Sequence, residues 1–82
     1  MIFVFKNKAA DGRLNLCGGS IARLRKMRKL SQRALADQMQ LLGIDMTKNT
    51  VQQIESGERF VIDVELKGFA KLFESTVDDL LK

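Results

Sequence analysis

Leu66, Phe69, Ala70 and Phe73 fall at i, i+3, i+4 and i+7, and this stripe constrains the fold more than any other feature of the chain. A helix with so wide an apolar face belongs in a core. The helical period begins earlier, at Ser20, where Ile21, Leu24 and Met27 form one stripe with Arg25 and Arg28 at its edge and Leu30 follows as a core plug. That spacing predicts a first helix over about residues 19 to 28. Ser31 offers an N-cap to a second helix, whose Ala34, Leu35, Met39 and Leu42 keep the spacing until Gly43 ends it, so it spans about 32 to 42. Thr47 caps a third, about 48 to 56, with Val51 and Ile54 inward and Gly57 where a left-handed C-cap residue belongs. Asp63 is the candidate cap of the fourth, and Thr76 with Asp79 resembles a capping box opening a short fifth helix with Val77, Leu80 and Leu81. The expected fold class is all-α with five helices.

Ahead of these lies a segment of different character. IFVFK, residues 2 to 6, is β-branched and aromatic, and after the turn-like NKAADG comes RLNLC with alternating apolar positions, a weak hairpin signal. A two-stranded ribbon is marginal alone, so it would need to pack on the helices or pair with another chain. The expected division is an N-terminal extension over 1–17 and a helical domain over 18–82.

With 82 residues the chain holds one small domain, and 45% hydrophobic with 29% charged residues fits a globular protein with no apolar run long enough to cross a bilayer. MIFVFK lacks the basic region and cleavage site of a secretory signal, which makes the cytoplasm the expected location. Cys17 is the single cysteine and histidine is absent, so an internal disulfide is excluded and a metal site, a cofactor and a Ser-His or Cys-His nucleophile are not expected. An enzyme has no constellation of residues to support it.

Charge is distributed unevenly. Residues 1–34 hold nine Lys or Arg against Asp11 alone, net +8, whereas residues 35–82 hold five against nine acids, net −4. A basic half suits a polyanionic partner, although basic helices are also often simply solvated.

More specific information sits in the third helix. With Val51 at 0°, Ile54 falls at about 300° and Glu55 at about 40°, while Asn49, Gln52, Gln53 and Ser56 gather between about 100° and 200°. The polar face therefore carries amides where solvated faces usually carry Glu and Lys. Ile21, Leu24 and Arg25 repeat the relative geometry of Val51, Ile54 and Glu55 on the first helix, so Arg25 and Glu55 are expected to pair across the seam between two helices.

LRKMRKLSQRALA, TKNTVQQIESG and FESTVDDLL together resemble the helix-turn-helix domain of the phage-repressor class, the XRE or lambda-repressor-like family, over residues 15–82. The resemblance implies that TKNTVQQIESG is the recognition helix, that Lys48, Asn49 and Gln53 occupy base-contacting positions, and that Gln32 lies near the DNA backbone. It also implies the Arg25 to Glu55 bridge and a backbone-contacting loop at Arg59. The chemistry agrees: the amides of Asn and Gln match N6 and N7 of adenine in the major groove, and Lys reaches O6 and N7 of guanine. Thr47, Thr50 and Gln52 are supporting candidates, with Thr47 able to cap the helix and donate to a phosphate from the same place. MQLLGIDM departs from the family by replacing a shorter turn, so the second helix must be longer or the turn larger, and Asp45 places a negative charge just before the recognition helix.

The expected function is a sequence-specific double-stranded DNA-binding transcriptional regulator, a repressor acting on a two-fold operator as a homodimer. Its dimer contacts would come from residues 2 to 6 or from the last helix. The alternative is a protein-interaction or antitoxin-like module that shares the fold without binding DNA.

Overall fold

The helical stripes converge on one apolar cluster in the computed structural model, which describes residue 9 and residues 11–82. The elements are α1 (Gly18–Met27), α2 (Gln32–Leu41), α3 (Lys48–Ser56), α4 (Asp63–Leu72) and α5 (Val77–Leu80), with no strand among the described residues. Ile21 of α1, Leu35 and Met39 of α2, Val51 and Ile54 of α3, Phe69 of α4 and Leu80 of α5 are fully buried. Each such side chain contributes about 1.5–3 kcal/mol of transfer free energy, so the five short helices are held by this shared core rather than by their own propensity. Phe69 stacks on Phe73 with ring centroids 6.4 Å apart, both from the stripe that predicts α4. None of the described helices is long and apolar enough to cross a membrane.

Local chemistry explains most of the boundaries. Ser31 Oγ accepts from Ala34 N at 2.9 Å and Thr76 Oγ1 from Asp79 N at 3.1 Å, so α2 and α5 start where hydroxyl caps occur in the sequence. The start of α4 differs: Asp63 is its first residue, Ile62 stands at the cap position, and Glu65 reaches back to accept from Ile62 N at 3.1 Å. A carboxylate on the first turn thus binds the N-cap N–H, the reciprocal half of a capping box, where no capping hydroxyl is present.

Two apolar residues expected inside lie outside. Met27 is 68% exposed because α1 ends there and Lys29 takes φ +57°, which swings the chain toward α2 and leaves Met27 on the rim. Leu42 is 40% exposed for the same kind of reason, standing one residue past the end of α2. Arg28, expected at the edge of the α1 stripe, stays exposed and still reaches α4 and its cap: it donates to Leu72 O at 3.1 Å and its guanidinium sits 5.7 Å from the Phe73 ring centroid.

MQLLGIDM makes the turn larger, and the turn is well anchored. Leu42 N and Ile44 N both donate to Met39 O at 3.0 Å, Gln40 Nε2 donates to Met46 O at 2.7 Å, and Met46 is buried. Ile44 folds down onto α4 at Gly68, the one place where a Cβ would collide with Ile44 Cδ1 and stand 3.1 Å from Met39 Cε. Gly68 is thus the hole into which the extended turn fits.

Residues 2 to 6, the candidate strand, fall outside the described residues. The other half of the expected hairpin is corrected: residues 13–17 form no strand but an irregular strap, in which Leu16 faces outward, 61% exposed, and the polar Arg13 and Asn15 face the protein. The alternation is real, but carbonyls of α3 rather than a partner strand receive its polar side.

Filling the hole at position 68 tests the turn. Gly68→Val should lower stability by about 1–3 kcal/mol in thermal or denaturant unfolding, through overpacking against Ile44 and Met39. An unchanged or raised midpoint would mean that the turn does not rest on α4.

Candidate nucleic-acid interface

Each part of α3 is fixed by a different set of contacts, and together they determine which side faces outward. At its start Thr47 Oγ1 accepts from Thr50 N at 3.2 Å, Thr50 Oγ1 accepts from Thr47 N at 3.3 Å, and the two hydroxyls lie 3.1 Å apart. This is a capping box built from two threonines, and it commits both hydroxyls to the helix terminus.

Near its C-terminal end α3 is held by the side chain of Glu55. Arg25 donates from Nε to Glu55 Oε2 at 2.7 Å and from Nη2 to Oε1 at 3.0 Å, with the two side chains only 11% and 8% exposed. Arg25 Nη1 continues to Leu30 O at 2.8 Å, and Gln32 Nε2 donates to Glu55 Oε1 at 3.1 Å. One carboxylate therefore gathers α1, the α1–α2 connection, the first residue of α2 and α3. The hydrogen bonds that Arg25 donates to Glu55 push the Arg25 pKa up from its ordinary value, outweighing the opposing effect of burial, so the guanidinium stays charged in the seam. Gln32 thus has a structural partner, and its amide reaches outward only from that anchored position.

At its end α3 meets the strap. Gly57 takes φ +80° as the left-handed cap residue, its carbonyl accepts from Leu14 N at 2.8 Å, and Arg13 Nη2 donates to Glu55 O at 2.6 Å. Asn15 Nδ2 donates to Ile54 O at 3.0 Å and to Arg59 O at 2.8 Å, while Asn15 Oδ1 accepts from Gly18 N at 2.8 Å. Carbonyls that a helix C-terminus leaves without intrahelical donors are satisfied from outside the helix. Neither Arg13 nor Asn15 is singled out by the sequence reading; the cue for Asn15 is its position three residues before the first helical residue, where its amide oxygen can take a free N–H. Arg13 offers no comparable cue.

With Val51 and Ile54 buried and Glu55 drawn into the seam, the opposite side is open. Lys48, Asn49, Gln52, Gln53 and Ser56 are exposed, whereas the amides of Gln32 and Gln40 are taken by Glu55 and by Met46 O. Beside the start of α3 a shallow cleft is lined by Arg33, Asp37, Gln40, Thr47 and Lys48. Arg33, exposed on α2, adds a cation next to Lys48 that the sequence reading left out. Asp45 and Glu58, also exposed, flank the two ends with negative charge.

Arg59 is engaged by the carboxylate of Glu65. Its Nη1 and Nη2 donate to the two carboxylate oxygens of buried Glu65 at 3.0 and 3.2 Å, tying the loop after α3 to the first turn of α4. The geometry is the fork-to-carboxylate arrangement that orients both partners, so Arg59 serves the loop's position first.

A family model described as Helix-turn-helix matches residues 21–80, which takes in α2 through α5 and most of α1. No curated protein and no solved structure matches the chain.

Removing the central carboxylate should be costly. Glu55→Ala strands Arg25 in the seam and is expected to lower unfolding free energy by about 3–5 kcal/mol, whereas Ser56→Ala on the exposed side should change it by less than about 0.5 kcal/mol. Equal effects from the two would remove the bridge from the account.

Proposed function

We propose, on the premise that the chain belongs to the XRE class of the helix-turn-helix family over residues 21–80, that it is a sequence-specific regulator of transcription that reads double-stranded DNA with α3. One observation carries the reading: the side of α3 turned away from the core presents Lys48, Asn49, Gln52 and Gln53 to solvent with their polar ends uncommitted to helix capping. Amides and an ammonium are the groups that pair with base edges in a major groove, and an α-helix fits that groove.

Roles then divide by position. Lys48, Asn49 and Gln53 contact bases, with Gln52 beside them. Thr47, at the positive end of the α3 dipole, supports a phosphate contact in the cleft shared with Arg33 and Lys48. Gln32 acts from the next helix start, oriented by Glu55. Arg59 orients the loop through Glu65 and contacts the backbone only through the N–H groups that Glu65 and Phe60 O leave free. The protein acts as a repressor and as a homodimer, whose two α3 helices lie about 34 Å apart in successive major grooves. Residues 2 to 6 and the end of α5, where Leu81 is 40% exposed, are the candidate dimer contacts.

Selection of bound fragments from a random-sequence duplex pool tests binding, symmetry and half-site spacing in one experiment. A two-fold enriched site is expected. With that site, Asn49→Ala or Gln53→Ala should weaken specific binding by about 1–3 kcal/mol and leave nonspecific binding nearly unchanged. Loss of both kinds of binding in equal measure by a folded variant would take base reading away from these residues. Affinity for mixed DNA should also fall steeply as salt rises, because phosphate contacts release counterions. A flat salt response would favour the protein-interaction module on the same fold.

A further inference from the structure

We propose that Asn15, with Arg13, is a positioning residue for DNA reading: the strap of residues 13–15 clasps the C-terminal end of α3 and sets the orientation in which its amide face meets the groove. The proposal rests on the DNA-binding reading above.

The strap makes four hydrogen bonds to the end of α3 and the loop after it. Leu14 N donates to Gly57 O at 2.8 Å, Arg13 Nη2 to Glu55 O at 2.6 Å, and Asn15 Nδ2 to both Ile54 O and Arg59 O at 3.0 and 2.8 Å. Arg13 also covers Gly57 so closely that a Cβ there would stand 2.8 Å from Arg13 Nε and 2.9 Å from its Cβ. These contacts span about forty residues of sequence, with separations of 42 for Arg13 to Glu55 and 39 for Asn15 to Ile54.

Three features make the clasp more than a terminal anchor. First, it acts on the last turn, where Ile54 and Glu55 alternate with Gln53 and Ser56 of the exposed side, so any rotation of that turn moves the base-reading amides. Second, it is rooted at both ends: Asn15 Oδ1 takes Gly18 N at the start of α1, and the chain before it closes a turn in which Ala9 N donates to Arg13 O at 2.7 Å and Arg13 N to Asp11 Oδ1 at 3.1 Å. Third, the strap lies wholly before the start of the family match at residue 21, so this chain supplies the clasp from outside the matched residues. Arg25 restrains α3 from one side through Glu55, and the strap restrains it at the end.

The two jobs of Asn15 separate chemically. Asn15→Asp keeps an oxygen for Gly18 N, but it has no N–H for Ile54 O and Arg59 O and sets a carboxylate against those two carbonyls. Asn15→Asp should therefore spare α1 and open the clasp. Arg13→Met is the second variant, keeping the aliphatic cover over Gly57 while losing the donor to Glu55 O.

Amide hydrogen exchange and DNA binding are measured on the 82-residue chain, well below its melting temperature. The probes are the duplex enriched from the random pool and poly(dI-dC). Asn15→Asp is expected to speed exchange at the amides of Gly57 and Glu58, which bond Ile54 O and Gln53 O, while the amides of α1 keep their protection. It should weaken binding to the enriched duplex about tenfold and leave poly(dI-dC) binding within about twofold, with Arg13→Met giving a smaller change in the same direction. Faster exchange with undiminished discrimination would overturn the positioning role, and unchanged exchange would overturn the clasp itself. A purely structural role would lower both affinities together. Failure of the wild type to prefer any duplex would overturn the DNA-reading assignment instead, and the positioning role with it, whereas a wild type that discriminates isolates the strap as the element on trial.

Discussion

The pairing of Arg25 with Glu55 is the constraint on which the remaining geometry depends. It joins the first and third helices through a carboxylate that is nearly buried, and the same carboxylate receives Gln32 while Arg25 reaches Leu30 O. Such a pair is worth little net against an apolar replacement, because desolvation offsets most of the attraction. Its value lies in direction. An apolar contact between α1 and α3 would tolerate sliding and rotation, whereas a forked guanidinium on a carboxylate fixes distance and angle together. Turning Glu55 inward then obliges the residues about half a turn away to face solvent.

Restraint at the two ends completes the orientation. The Thr47 and Thr50 hydroxyls close the start of α3, and the strap satisfies carbonyls at its end. A nine-residue helix has little stability alone, so these contacts do for α3 what length does for longer helices. A helix held at its start by a cap, and at its last turn by the Glu55 side chain and by the strap, loses little conformational freedom on meeting a duplex, and more of its contact energy remains as affinity. The larger turn between α2 and α3 fits the same scheme: Ile44 seated over Gly68 and Gln40 bonded to Met46 O make it a rigid connection.

Periodicity and capping chemistry made the helical part legible. The range of α3 matches the expected 48 to 56, α1 is shifted by one residue from the expected 19 to 28, and α2 ends one residue before the expected 42. Both residues of the Arg25 to Glu55 pair lie at the same place relative to an apolar stripe, which is visible from helical geometry before any coordinates. Exposed Met27 and Leu42 show the limit of that method, since a stripe carries no information about where the chain leaves the helix. The strap departs from its expected form as half of a hairpin. Alternation in RLNLC has the period of a strand, but the side that turns inward is polar, and its partners lie about forty residues on, where no local pattern points. Arg59 and Gln32 illustrate a further gap: a family position names a residue's neighbourhood, while Glu65 and Glu55 decide what its side chain already holds.

Side-chain amide resonances followed by nuclear magnetic resonance during titration with the enriched duplex test the central claim most directly. The account predicts that the carboxamide signals of Asn49, Gln52 and Gln53 shift or broaden first, while that of Gln38, in the groove that α2 and α4 form with Leu41, Leu42 and Leu72, stays in place. Perturbation centred on Gln38 and that groove, with the three α3 amides unmoved at saturation, would contradict it.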